Sequence, residues 1–253
     1  MSLKIGSTRF QKDLSTLLKQ LVKDMPKEGS NKLALLREHL VNLQKRNVVK
    51  INHSVMELIV AKFLILKGYD VKIEYPLNDT LTCDLYATKG YGNAIIEIET
   101  GYIPPDHAMD PLTYTFARLA SKIIRYSSFA GKFVIGVPPQ YILPLPRSLA
   151  LSPKRRTLED IEHVKRLCDR YYQKPPVTFE EIRNARIQEI YIIDVDRTKV
   201  QEMDPESYMK RSLYKGIIFS SRDETLLEQM KSNKNYLREE ERLDHYTKKQ
   251  ADL

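Results

Sequence analysis

The chain has 253 residues, enough for one sizeable core with additions at either end, and its 42% hydrophobic, 29% charged composition with 9 glycines excludes low-complexity and collagen-like classes. Lysine and arginine number 41 against 33 acidic residues, a formal charge of +8 that favours polyanionic partners without establishing one. Cys83 and Cys168 are too few for a disulfide framework or a cysteine-based zinc site, no apolar run approaches a membrane span, and MSLKIGSTRF lacks a signal-like apolar stretch, so a cytoplasmic location is expected.

Residues 7–24 place Phe10, Leu14, Leu17, Leu18 and Leu21 at helical spacing, and residues 31–46 do the same with Leu33, Leu36, Leu40 and Leu43. The turn-rich KEGSN between them predicts a helical hairpin over residues 1–50. Such a hairpin serves either as a brace on the core or as an arm for dimerisation or DNA contact. A nearly uniform apolar helix, VMELIVAKFLILKG, follows, with Ser54 and Glu57 at capping-box spacing and Gly68 at its end. The strands DVKIEYPL, LTCDLYAT and AIIEIET come next, the last two joined by the turn KGYGN. After the loop GYIPPDHAMDP, LTYTFARLASKIIRYSSF reads as an amphipathic helix and KFVIGVPP as a buried strand. The order is thus α-β-β-β-α-β. Downstream, PLPRSLALSPKRR reads as an extended loop, TLEDIEHVKRLCDRYY as a helix and EIYIIDVD as a further strand. Residues 51–220 form the expected core with its C-terminal additions, and 221–253 a charged peripheral helix or tail.

Strand alternation puts Thr82, Asp84 and Tyr86 on one face, and Glu97 with Glu99 on one face of the next strand. Gly90, Gly92 and Asn93 tolerate a tight turn, so the strands pair and Asp84 approaches Glu97 across the ladder. Like charges this close call for a neutralising cation, and oxygen donors favour magnesium or manganese. Glu57 lies among Val60, Ala61 and Leu64 on an apolar helix surface. It is either the capping partner of Ser54 or a further carboxylate facing the site. The ordinary alternative, that Glu97 and Glu99 are solvent-facing strand positions, conflicts with the apolar character of the surrounding strands.

Helix with Glu57, Asp84 in the second strand, Glu97-Ile98-Glu99 in the third, then helix and strand: over residues 53–138 this order resembles the restriction-endonuclease-like, PD-(D/E)XK nuclease superfamily. The resemblance implies an α/β fold with a mixed central sheet flanked by helices. It implies metal binding by Asp84 and Glu97, joined by the backbone carbonyl of Ile98 and by Glu57. Glu99 then orients or deprotonates the attacking water. Cys83 stands where proline is common, and Glu99 stands at the lysine position. Lys122 is placed to supply that lysine from the following helix, where Lys122 to Tyr126 resembles the Gln-x-x-x-Tyr element of RecB-like nucleases. Catalytic residues are therefore expected at Glu57, Asp84, Glu97, Glu99 and Lys122, with Mg2+ or Mn2+ as cofactor.

Arg118, Lys122 and Arg125 share one helix and, with Tyr114 and Tyr126, either follow a phosphate backbone or form a solvated basic face; Arg118 or Lys122 could also stabilise a phosphate in transition. Lys154, Arg155 and Arg156 form either a phosphate clamp or a plain surface charge run. His53, His107 and His163 show no zinc-site spacing and receive no role, although His107 lies in the loop after Glu99. The expected activity is endonucleolytic hydrolysis of DNA phosphodiesters, and because cutting both strands needs two active sites, a homodimer is expected as an option. The alternative is an inactive nuclease-like binding module or a subunit of a repair or replication complex.

Overall fold

A mixed sheet of six strands in the order β1-β2-β3-β4-β5-β6 organises the chain. The structure, a computed structural model, describes residues 2–46 and 51–214, with side chains from 9 to 46 and from 53 to 211. Strands β1 (Asp70–Pro76), β2 (Thr82–Lys89) and β3 (Gly92–Ile98) form an antiparallel meander. Lys89 faces Gly92 across a two-residue turn in which Gly90 takes a φ of 57°, a conformation that glycine adopts without a Cβ penalty. Helix α4 (Pro111–Tyr126) then carries the chain across the sheet to β4 (Lys132–Val137), parallel to β3. Strand β5 (Glu189–Asp194) continues in parallel, and β6 (Lys199–Met203) closes the edge antiparallel. The protein is an α/β fold with helices on both faces.

One face carries α1 (Ser2–Leu21), α2 (Lys27–Lys45) and α3 (Ile51–Leu66). Leu14, Leu33 and Leu40 of the hairpin share a core with Leu58, Ile59 and Leu64 of α3 and with Ile73, Leu85, Ile96 and Ile98 of the sheet. Helix α3 is apolar nearly all round because it lies between the hairpin and the sheet, with both sides buried. It ends at Gly68, whose φ of 83° lets its N–H reach Ile65 O at 2.9 Å and the Tyr69 N–H reach Leu64 O at 3.0 Å. On the opposite face α4 packs beside α6 (Leu158–Asp169) and α7 (Phe179–Asn184), and Tyr126 approaches Phe133 of β4 with ring centroids 6.3 Å apart.

Four details differ from the sequence-based expectation. KEGSN is not the hairpin turn but the start of α2, which begins after Pro26; Pro26 fixes φ at −57° and cannot donate a hydrogen bond. The expected loop at 144–156 contains a short helix, α5 (Arg147–Ala150). Helix α7 and strand β6 escaped periodicity because one is a single capped turn and a half and the other is a polar edge strand. Ser54 lies inside α3, which begins at Ile51, and so does not occupy an N-cap position. The hairpin belongs to the same compact unit as the sheet, which extends to Pro205. A second unit follows, of which α8 (Pro205–Tyr214) is described; the tail at 221–253 lies outside the described residues. Among the described residues, no helix is long and apolar enough to cross a membrane.

Candidate active site

The backbone ladder between β2 and β3 stops at Leu85 opposite Ile96. The next pair in register, Asp84 and Glu97, is joined through side chains instead. The Asp84 N–H donates to Glu97 Oε1 at 3.0 Å, and the Ile98 N–H donates to Asp84 Oδ2 at 2.5 Å. Each carboxylate takes over a backbone donor that the ladder would otherwise satisfy, so the strands part around two acidic side chains without orphaning their amides. A strand residue presents its N–H and C=O to the same neighbour, which turns the Ile98 carbonyl toward this fork as well. On its other edge β3 stays paired with β4, and the Glu99 N–H donates to Gly136 O at 2.8 Å. The fork is therefore held rigidly from one side.

Glu57 of α3 approaches the fork from the hairpin face. It is 0% exposed, and neither of its carboxyl oxygens has a hydrogen-bond partner. His53 lies one turn earlier on the same helix face, and single ligand atoms of His53, Glu57 and Asp84 all lie within 4.8 Å of one another. With Ser54 buried inside the helix, the capping-box role for Glu57 is excluded. His53, to which spacing alone gave no role, joins the cluster. Burying an unpaired carboxyl is costly, and the donors present, carboxylate oxygens with one imidazole and a nearby carbonyl, fit a divalent cation. Hard oxygen donors suit Mg2+ or Mn2+, and the imidazole nitrogen shifts the preference toward Mn2+.

On the opposite face, α4 projects Lys122 and Arg118, one turn apart, onto the two glutamates of β3. Lys122 Nζ lies 2.9 Å from Glu97 Oε2 and 2.7 Å from Glu99 Oε1, while Arg118 Nη2 donates to Glu99 Oε2 at 2.6 Å. Lys122 is the one expected lysine that the structure brings to the acidic strand. Glu74 adds a further carboxylate: it stands opposite Asp84 by the register of β1 on β2, and its φ of 50° is left-handed. A non-glycine residue held there costs on the order of 1–3 kcal/mol, a strain met mainly where geometry serves a site.

These environments separate the carboxyls. Burial, reinforced by the charges of Asp84, Glu74 and Glu97, pushes Glu57 far above the usual carboxylate range. Burial and Asp84 raise Glu74 to about 7. Glu97 rises to about 8 because burial outweighs the attraction of Lys122. Burial acts the same way on Glu99, but Lys122 and Arg118 overcome it and hold the group below its ordinary value. Burial works against the Lys122 ammonium too, yet Glu97, Glu99 and Asp84 together raise it.

Raised carboxyls bind protons in the fold that the unfolded chain has already released, so their stabilising effect is complete below about pH 4.5 and disappears as pH climbs toward 8. Glu99 acts in the other direction, and its contribution is lost in acid. Metal-free protein is therefore expected to lose stability between pH 5 and pH 8 in denaturant titrations. Ligation requires ionised carboxylates, so Mn2+ added at pH 7 should displace on the order of one proton per chain. Calorimetry in buffers of differing ionisation enthalpy reads this directly, and buffer-independent heats would show that the carboxyls are already ionised.

The remaining expected contacts divide. Tyr126 donates its hydroxyl to Thr82 O at 3.1 Å and so ties α4 to the strand that bears Asp84. Arg125 donates to Ser121 Oγ at 3.1 Å and to Pro175 O at 2.5 Å. Arg156 does not join Lys154 and Arg155 as a clamp. Its half-buried guanidinium donates to the carbonyls of Ser148 at 2.6 Å and Ile182 at 2.8 Å, among others, bracing the segment before α6 against α7. Lys154 and Arg155 are exposed on a short 3-10 turn. Comparison with protein-family models, with curated proteins and with solved structures returns no match, so geometry and chemistry alone carry the functional assignment.

Proposed function

We propose that this chain is a metal-dependent nuclease of the PD-(D/E)XK type, hydrolysing phosphodiester bonds of DNA, with α3, β1, β2, β3, α4 and β4 as its restriction-endonuclease-like core. The observation that carries the proposal is the strand fork, where the Asp84 N–H donates to the Glu97 carboxylate and the Ile98 N–H donates to the Asp84 carboxylate, beside the buried, unpartnered Glu57. Glu57, Asp84, Glu97, His53 and the Ile98 carbonyl are the residues that would hold the cation. A bound divalent ion supplies Lewis-acid polarisation of the scissile phosphate and lowers the pKa of a ligated water. Lys122 offers its ammonium where negative charge develops on the phosphate, and its two carboxylate partners fix it there in advance. Glu99, kept ionised, is a weak base. Its role is to position Lys122 and Arg118 rather than to take a proton.

Incubation of single-stranded, duplex and branched DNA with Mg2+ or Mn2+ tests the proposal beside Asp84→Asn and Glu97→Gln. Cleavage by the wild type alone, abolished by EDTA, is the expected result. Equal products from variants and wild type would overturn it. Tight DNA binding in EDTA with no cleavage under either metal would favour the inactive binding module. His53→Ala should weaken Mn2+ roughly tenfold, about 1.4 kcal/mol, and Mg2+ less. Electron paramagnetic resonance of titrated Mn2+ measures the change without recourse to activity.

A further inference from the structure

The loop that leaves the acidic strand, residues 101–110, exposes large apolar side chains beside a site built for phosphodiesters. Tyr102 is 56% exposed, Ile103 36% and Met109 98%. Tyr102 stands three residues beyond Glu99, a separation of at most about 11 Å along the chain. The loop is fixed at both ends. Gly101 has a φ of 81° and sits against Tyr141, where a Cβ would come within 2.5 Å of the ring. At the far end His107 stacks on Tyr114 with centroids 3.8 Å apart, and Tyr171 meets both rings edge-on at 5.5 Å. Tyr171 also donates its hydroxyl to Asp110 Oδ2 at 2.6 Å, and Arg170 lies 3.0 Å from the same oxygen. Tyr172 hydrogen-bonds Tyr114 and feels the charges of Arg118 and Glu99, so this aromatic anchor adjoins the acidic site.

We propose that this loop is a rigid stacking shelf for unpaired nucleobases, so that the strand presented to the candidate active site is single-stranded or locally unpaired. The proposal rests on the nuclease reading and names its substrate class. Bases within a duplex cover one another's faces and leave only their edges in the grooves, whereas an unpaired base offers a flat face to a tyrosine ring or a thioether. Arg170, largely exposed beside the shelf, and the chain's charge of +8 suit the adjoining phosphates. Cutting one unpaired strand needs one active centre, so this substrate removes the requirement for a homodimer.

The chain contains no tryptophan, which makes Tyr102→Trp a single reporter. In EDTA, its fluorescence should be quenched by single-stranded DNA and by duplexes with an unpaired tail, but not by blunt duplex. Tyr102→Ala combined with Met109→Ala should bind labelled single strands on the order of tenfold more weakly in anisotropy titrations and leave duplex binding unchanged. A silent indole while labelled single strands bind would overturn the shelf, as would equal losses for single strand and duplex. A changed oligomeric state of the double variant with unaltered DNA binding would overturn it in favour of a second copy covering the loop. Duplex cleavage by wild type that the double variant retains, without any single-strand preference, sinks the shelf and leaves the nuclease reading intact. Absence of both binding and cleavage in the wild type removes both.

Discussion

Replacing Lys122 by methionine is expected to destabilise the protein by about 3–5 kcal/mol above pH 8, where Glu97 and Glu99 are both ionised and lose their shared ammonium. Both carboxylates are nearly inaccessible, and Lys122 is itself mostly covered, so solvent does little to screen the loss. Arg118 reaches Glu99 alone and cannot replace the contact to Glu97. For a domain of this size the cost corresponds to a fall in melting temperature of roughly 6–20 °C.

Two controls identify the cause as electrostatic. Adding Glu97→Gln and Glu99→Gln to Lys122→Met should recover most of the loss, since no uncompensated charge then remains. The deficit should also shrink as pH falls. Without Lys122, burial acts on both carboxyls with less to oppose it, so the variant should regain stability where they are protonated and lose it again as pH rises. A deficit that stays constant with pH and survives the triple replacement would make Lys122 a packing residue. Lys122→Arg should not substitute fully, because a planar guanidinium does not reproduce a point charge seated between two carboxylates.

The contrast between what was legible in the sequence and what was not follows from the range of each interaction. Strand alternation is a local property, and it placed Asp84, Glu97 and Glu99 correctly relative to their neighbours. The KGYGN turn then set the register that brings Asp84 opposite Glu97. Lys122 was expected from the resemblance to nucleases that take this lysine from the helix, and it lies on the two glutamates. His53 was missed because its nearness to Asp84 depends on how α3 packs against the sheet, which no spacing within α3 records. Ser54 and Glu57 matched a capping box by spacing alone. The helix starts at Ile51, before both, so the match was accidental. A carboxyl among Val60, Ala61 and Leu64 on an apolar helix surface was the better signal. Glu74 was missed because an alternating strand gives no hint of a left-handed residue opposite Asp84.

Glu57→Met is expected to do the reverse of Lys122→Met and make the metal-free protein more stable. Glu57 is fully buried with no donor for either oxygen, beside Asp84 and within the field of Glu74 and Glu97. Its side chain is thus held in an environment that favours neither its charged form nor its polar neutral form. An unbranched apolar side chain of similar length removes that penalty of roughly 1–3 kcal/mol and packs against the core of α3. In EDTA the melting temperature should rise by about 2–12 °C. With saturating Mn2+ the order should invert, because the wild type gains binding free energy that the variant cannot. Such an exchange of stability for function is what a ligand site retained at a cost to the fold predicts. Glu57→Gln supplies the intermediate case: it keeps the polar burial, loses the charge, and should lose the response to Mn2+ without the gain in EDTA. If Glu57→Met instead lowered stability in EDTA and left the Mn2+ response intact, Glu57 would be a packing residue and the fork would lose its carboxylate ligand from α3.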